Sequence, residues 1–255
     1  MAVKGIDVSE YRPTVNWPKV LAAGYEFAYC RASVLSRADA SWAAHRKAAQ
    51  KTDIIFGGYH NLHPAGTAAQ HYTMFKQTIL GTGGFEGLLP PMLDVEGTGD
   101  ATNALAGMTG AAYRAMMLEW IQRLHDDTGL KPFVYTYKSF CSQYGIGAAS
   151  NGKCYPWPAW YPTGVMPAAP PPFAGWQGEW GLWQYTDKQT VVGIADTVDA
   201  NLFNGTLPEL RALVVGPKTT PVKVVDHATG KLIETLQMVP GGWHPEQGKL
   251  YVKQA

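Results

Sequence analysis

Cysteine, strong charge of either sign, long apolar runs and metal-ligand spacings are all scarce in this chain, and each scarcity removes a class of protein. There are three cysteines in 255 residues. An odd count behind an N-terminus without a signal-peptide apolar core argues against a disulfide framework. Cys30 sits in an apparent strand as a small buried hydrophobe. Cys141 and Cys154 bracket a Gly/Ser/Asn-rich loop and either close it or stay free thiols. Lys and Arg number 21 against 20 Asp and Glu, a net charge of +1, so no nucleic acid or other polyanion is expected as a partner. No apolar run nears the roughly 20 residues that span a bilayer, so stable membrane insertion is not expected. His60, His63 and His71 lack a third well-spaced ligand, so the reading assigns no metal and no cofactor. No internal repeat is visible.

Hydrophobic residues make up 46% of the chain, enough for one large core plus a small addition. Strand-like and helix-like segments alternate. Strands are expected at 2–8, 25–31, 53–60, 91–95 and 132–136, and helices at 17–23, 38–50, 67–80 and 110–128. The last of these places Tyr113, Met116, Met117, Trp120, Ile121 and Leu124 at helical spacing before Gly129. Such alternation implies a parallel sheet, and five units in succession imply a barrel. Beyond residue 137 the pattern changes to three further strands, around 159–161, 182–185 and 197–199, joined by loops. One loop, 167–180, is rich in Pro, Gly and Trp.

The most informative stretch is Leu89-Pro90-Pro91-Met92-Leu93-Asp94-Val95-Glu96-Gly97. On a strand, Asp94 and Glu96 share a face while Val95 points away. Two carboxylates so placed titrate unequally, one charged and one holding a proton, which is the equipment for cleaving a glycosidic bond. Alone, an Asp-x-Glu is most often a solvated strand end. Here it closes an apolar run that reads as a buried parallel strand. Asp7 and Asp199 also fall at apparent strand ends, where barrels build their active sites. Each has the alternative of a hydrogen-bonded structural acid.

Six segments occur in order: Gly5-Ile6-Asp7-Val8-Ser9, Phe27 to Ser33, Gly57-Gly58-Tyr59-His60, Pro90 to Glu96, Trp183-Gln184-Tyr185, and Val198 to Phe203. Over about residues 3–207 they resemble the family 25 glycoside hydrolases, the lysozyme-type muramidases common among phage endolysins. The resemblance implies an irregular TIM-like α/β barrel of five β/α units plus three β-strands. It also implies a peptidoglycan partner, with cleavage of the β-1,4 bond between N-acetylmuramic acid and N-acetylglucosamine. Glu96 matches the general acid/base. Asp94 matches a carboxylate that orients the substrate's 2-acetamido group or steadies oxocarbenium charge, and its anion is expected to raise the pKa of Glu96. Asp7 and Asp199 match flanking acids. Tyr59, Tyr135, Trp183 and Tyr185 are candidate sugar contacts, with barrel core as the alternative. Arg31 is expected to pair with one of the acids. The chain departs from the pattern at Asn61, where relatives often carry an aromatic, and at Glu10-Tyr11-Arg12-Pro13, where a Gln is common.

Two other functions fit the same residues: a barrel that binds glycan without cleaving it, and a chitinase-like glycosidase. With no signal peptide expected, the protein is made in a cytoplasm, that of a host for a phage enzyme, and reaches the wall after release. The organisation read from the chain is a catalytic barrel over 1–208 and a tail over 209–255. The tail holds a short helix at 210–215, a linker at 217–221, a hairpin from 222–226 and 231–237, and a further strand at 250–252. Its role is either wall binding or covering the barrel.

Overall fold

The helices begin where the sequence supplies caps. Asn16 accepts from the Lys19 N–H to open α1 (Trp17–Ala22), with Pro18 in the first turn. Thr67 and Gln70 form a reciprocal capping box at the start of α3 (Ala68–Leu80), and Thr109 caps α4 (Gly110–Thr128), which stops at Gly129 in the left-handed conformation. The computed structural model describes residues 2–100, 102–217, 220–225, 229 and 232–238. The other elements are β1 (Val3–Val8), β2 (Phe27–Val34), β3 (Arg37–Ala38), α2 (Trp42–Ala49), β4 (Ile55–Asn61), β5 (Met92–Asp94), β6 (Phe133–Tyr137), α5 (Lys138–Tyr144), α6 (Ile146–Ser150), β7 (Tyr155–Ala159), β8 (Leu182–Gln189), β9 (Val198–Phe203), α7 (Leu207–Ala212), β10 (Thr220–Val225) and β11 (Leu232–Met238).

Eight strands close a barrel in the order β1-β9-β8-β7-β6-β5-β4-β2, with β2 returning to β1. Seven run parallel, and β9 runs against both its neighbours. Helices follow β1, the β2–β3 pair, β4, β5 and β6; none intervenes between β7, β8 and β9. This is the α/β barrel of five units and three strands that the resemblance implied. α5 and α6 are additions the periodicity did not show, because neither exceeds about two turns and Gly145, left-handed, separates them.

β7 lies earlier than expected. Pro156 and Pro158 lie within the strand, and Tyr155, Trp157 and Ala159 carry the pairing to β6. A proline has no N–H to give the next strand. The β7–β8 seam is correspondingly thin, with one register pair, Ala159 to Gln184, flanked by Gly181 N to Pro156 O (2.9 Å) and Trp160 N to Gln184 O (3.1 Å).

Two apolar layers result from the strand alternation. The outer layer packs helices on the barrel through residues such as Ile6, Val20, Phe75, Trp120 and Val134. The inner layer includes Phe27, Tyr29, Met92, Phe133, Trp157 and Leu182. Tyr29 on β2 meets Trp157 on β7 with ring centroids 4.9 Å apart, although those strands are not neighbours. A side chain at Gly57 would collide with the Tyr29 ring, so glycine there lets the ring cross the interior. Leu210 of α7 joins this layer.

The chain divides into two compact units after Val214, which places α7 with the barrel. The second unit contains the antiparallel pair β10–β11, with Thr220 opposite Met238. The strand expected at 250–252 lies outside the described residues.

Candidate active site

The carboxylates are fixed by backbone before they are tuned by charge. Val95 N donates to Tyr135 O (2.9 Å) and Leu62 N to Asp94 O (2.9 Å), holding the end of β5 against both neighbours. The chain then turns at Gly97, whose φ is +73°. A Cβ there would strike the Ala104 carbonyl, so position 97 requires glycine twice over. Gly97 N donates to the Tyr113 hydroxyl (3.2 Å), and that hydroxyl donates to Leu62 O (2.6 Å). Glu96 is therefore held on a short, anchored segment between β5 and this turn.

Four acids gather at the C-terminal mouth of the barrel. Asp94 is 7% exposed. Its Oδ2 accepts from Asn61 Nδ2 at 2.7 Å, while its Oδ1 is buried with no hydrogen-bond partner. Burial, reinforced by the nearby charge of Glu96, holds Asp94 well above the ordinary carboxyl range. Glu96, half-buried, is pushed up to about 7 by burial and then by the charge of Asp7. Asp7 and Asp199 stand directly opposite across the β1–β9 pairing. Asp199 is raised to about 8 by burial, by the charge of Asp7 and by its hydrogen bond to Asp7. Asp7 is raised by burial, but bonds from Asn201, Gln184 and Asp199 oppose that. The group best supported as an anion is thus Asp7. Asp7 adds its charge to the raising of Glu96, and the expected interaction between Asp94 and Glu96 is present as the upward push that Glu96 exerts on Asp94.

Tyr59 on β4 stands within the field of Asp7 and Asp94, and its hydroxyl is kept neutral by burial and by those charges. Tyr135 on β6 donates to Gln184 Oε1 at 2.9 Å. Both lie on the inner face expected of them. Arg31 lies within β2 on the same face, but it pairs with Asp39 and Glu10, each at 2.7 Å, rather than with any of the four acids. Its charge nevertheless acts on Asp94. Trp183 and Tyr185 are corrected outright. On β8 it is Gln184 that faces inward, so its neighbours face out. Trp183 is fully buried, stacked on Trp160 with centroids 6.0 Å apart and donating its indole N–H to Trp160 O (2.8 Å). Tyr185 packs against the outer layer and hydrogen-bonds Tyr25. Neither can stack on a sugar at the mouth.

Sequence reasoning passed over the neutral amides. Asn61, noted only as a departure, donates to Asp94. Gln184, read as the spacer of an aromatic pair, donates to Asp7 at 3.0 Å, and Asn201 does so at 2.8 Å. Tyr161, 41% exposed at the end of β7, donates to Gln184 Oε1 at 2.6 Å.

The histidines form a buried relay. Ser33 bonds His60 Nδ1 (2.8 Å), His60 Nε2 bonds His71 Nδ1 (2.7 Å), and His71 Nε2 bonds Ala65 O (2.8 Å). Every ring nitrogen of the pair is used in tying β2, β4 and α3 together. Cys141 and Cys154 are buried free thiols.

The family model for glycosyl hydrolases family 25 matches residues 6–194. Lysozyme M1 of Streptomyces globisporus is 31% identical over 221 residues, covering 83% of this chain and 71% of that protein. The N,O-diacetylmuramidase of a Chalaropsis species is 28% identical over 84% of this chain and all of that one. The crystal structure of the bacterial lysozyme from Streptomyces coelicolor superimposes with a TM-score of 0.73 at 28% identity, covering 84% of this chain and 97% of that one. With the model spanning most of the barrel and the acids in place at its mouth, the chain belongs to glycosyl hydrolases family 25 and is a glycoside hydrolase of the peptidoglycan-cleaving lysozyme type.

Proposed function

We propose that the enzyme is an N-acetylmuramidase that cleaves the β-1,4 bond between N-acetylmuramic acid and N-acetylglucosamine, with Glu96 as general acid/base and Asp94 as the group that orients the 2-acetamido arm. The observation that carries this reading is the unpartnered, buried Oδ1 of Asp94 beside a glutamate whose pKa is raised to about 7. A buried acceptor without a donor is costly, and an acetamido N–H supplies the donor. Hydrogen bonding to the charged form favours that form, so substrate binding stabilises the Asp94 carboxylate and leaves the proton on Glu96. Glu96 then protonates the leaving oxygen as the bond from the anomeric carbon breaks. The acetamido oxygen, aimed by Asp94, steadies that carbon. Water then attacks it and gives its proton back to Glu96.

Asp7 and Asp199 shape the field, and Tyr59 and Tyr135 offer phenol groups to the sugar. In the cellular role proposed with this activity, the protein is a phage endolysin, made in the host cytoplasm and acting on the wall after release. That rests on the motif resemblance. The test is product analysis: peptidoglycan digested with the enzyme, reduced with borohydride and read by mass spectrometry. Reduced N-acetylmuramic acid ends support the proposal. Reduced N-acetylglucosamine ends, cleavage of chitin oligomers in preference to wall, or binding without any new reducing end would each replace it.

A further inference from the structure

Asp7 Oδ2 accepts two hydrogen bonds from carboxamides, one of which has no freedom to turn round. The Trp157 indole N–H, which can only donate, bonds Asn201 Oδ1 at 3.0 Å. That fixes the Asn201 amide so that its Nδ2 faces Asp7 Oδ2, at 2.8 Å. On the other side, the Tyr135 and Tyr161 hydroxyls meet Gln184 Oε1 at 2.9 and 2.6 Å. Gln184 presents its Oε1 to these hydroxyls and its Nε2 to Asp7 Oδ2, at 3.0 Å. Gln184 is 3% exposed and Asn201 and Trp157 are fully buried, so no water competes for these bonds. The two donors that converge on this one oxygen come from β8 and β9. Hydrogen bonds from N–H groups are stronger to a carboxylate than to the neutral acid, so the two donors favour the charged form of Asp7.

We infer that Gln184 and Asn201 are positioning residues that hold Asp7 as a carboxylate, and that Trp157 sets the polarity of the Asn201 half of that lock. The locked charge keeps the exchangeable proton on Glu96. This rests on the reading of Glu96 as the general acid. Every titratable group facing Asp7 fits the arrangement. Asp199 donates its proton across the strand pair. Asp94 and Glu96 on the β5 side both hold protons to higher pH under its field. Tyr59, Tyr135 and Tyr161, and Cys30 behind them, stay neutral beside it. Arg31 is taken up by Asp39 and Glu10.

The experiment is the pH profile of kcat/KM on soluble peptidoglycan fragments for the wild type, Gln184→Met, Trp157→Phe and Asp7→Asn. Without its donors Asp7 takes a proton, Glu96 loses its negative neighbour, and the alkaline limb moves to lower pH. A displacement of about one pH unit is expected for Asp7→Asn. Gln184→Met should move the limb the same way by a lesser amount, and Trp157→Phe, which only frees the Asn201 amide to turn, by less again. In the Asp7→Asn background neither should add a displacement. A limb that stays in place in a folded Gln184→Met or Trp157→Phe enzyme overturns the lock, as does a displacement that persists without Asp7. Should Gln184→Met fail to fold, Trp157→Phe carries the same two outcomes. Glu96→Gln separates the two claims: full activity in that variant removes the general acid itself, whereas loss of activity with an immobile limb removes only the lock.

Discussion

Replacing Glu96 with glutamine is expected to move activity and stability in opposite directions. A carboxyl raised from 4.5 to about 7 in the folded protein binds its proton more tightly there than in the unfolded chain. Below the unfolded value both states are protonated and nothing is lost. As pH rises from about 4.5 to about 7, the folded state must either keep the proton or bury a charge, so stability falls. At about 1.4 kcal/mol per pH unit the full penalty is about 3 kcal/mol. Partial exposure and sharing of protons with Asp94 and Asp7 reduce it, leaving about 1–2 kcal/mol at pH 8. For a unit of this size, each kcal/mol shifts Tm by roughly 2–4 °C. Glu96→Gln should therefore melt about 3–6 °C above the wild type at pH 8 and level with it at pH 4, read by scanning calorimetry. Its turnover on purified walls should fall by about 10²–10⁴. A Tm difference that is the same at both pH values, or a variant less stable at pH 8, would refute the electrostatic account. Retained turnover would remove Glu96 from the chemistry.

Asp94→Asn is expected to lose nearly as much turnover as Glu96→Gln, whereas Asp199→Asn should be milder and should shift the pH optimum; an Asp199 variant unchanged in both would make that acid structural. Asn61→Leu leaves Asp94 with neither oxygen partnered, and kcat should drop about 10-fold or more, a cost of about 1–3 kcal/mol, with near-normal kcat counting against the Asn61 contact. Trp183→Ala should lower Tm by several degrees and leave KM alone, since the ring is buried on the outer face; a raised KM with Tm unchanged would return it to the sugar site. Truncation after Pro217 should leave an active barrel, because the first unit ends at Val214. Loss of cell lysis alone would assign the tail to wall binding, and parallel loss of activity and Tm would assign it to support of the barrel.

The acids at positions 94 and 96 were legible because strand alternation and an apolar run are local properties. Barrel closure was legible from the repeating strand and helix lengths. What the sequence could not supply was parity. Trp183-Gln184-Tyr185 can present either its aromatics or its glutamine inward, and only pairing across β9 to Asp7, 177 residues away in the chain, decides it. Gln184, Asn201 and Asn61 carry no charge and so gave no signal, yet they supply side-chain donors to two of the acids. β7 begins earlier than expected and contains Pro156 and Pro158, which sit at positions whose missing N–H groups face the thin β8 seam.

The most direct measurement is a carbon-13 NMR titration of the glutamate carboxyls in the free enzyme, with the Glu96 resonance identified by its loss in Glu96→Gln. The account requires a carboxyl with a midpoint near 7, falling in Asp7→Asn. A Glu96 carboxyl that titrates at the ordinary value near 4.5, or one indifferent to Asp7, would contradict it.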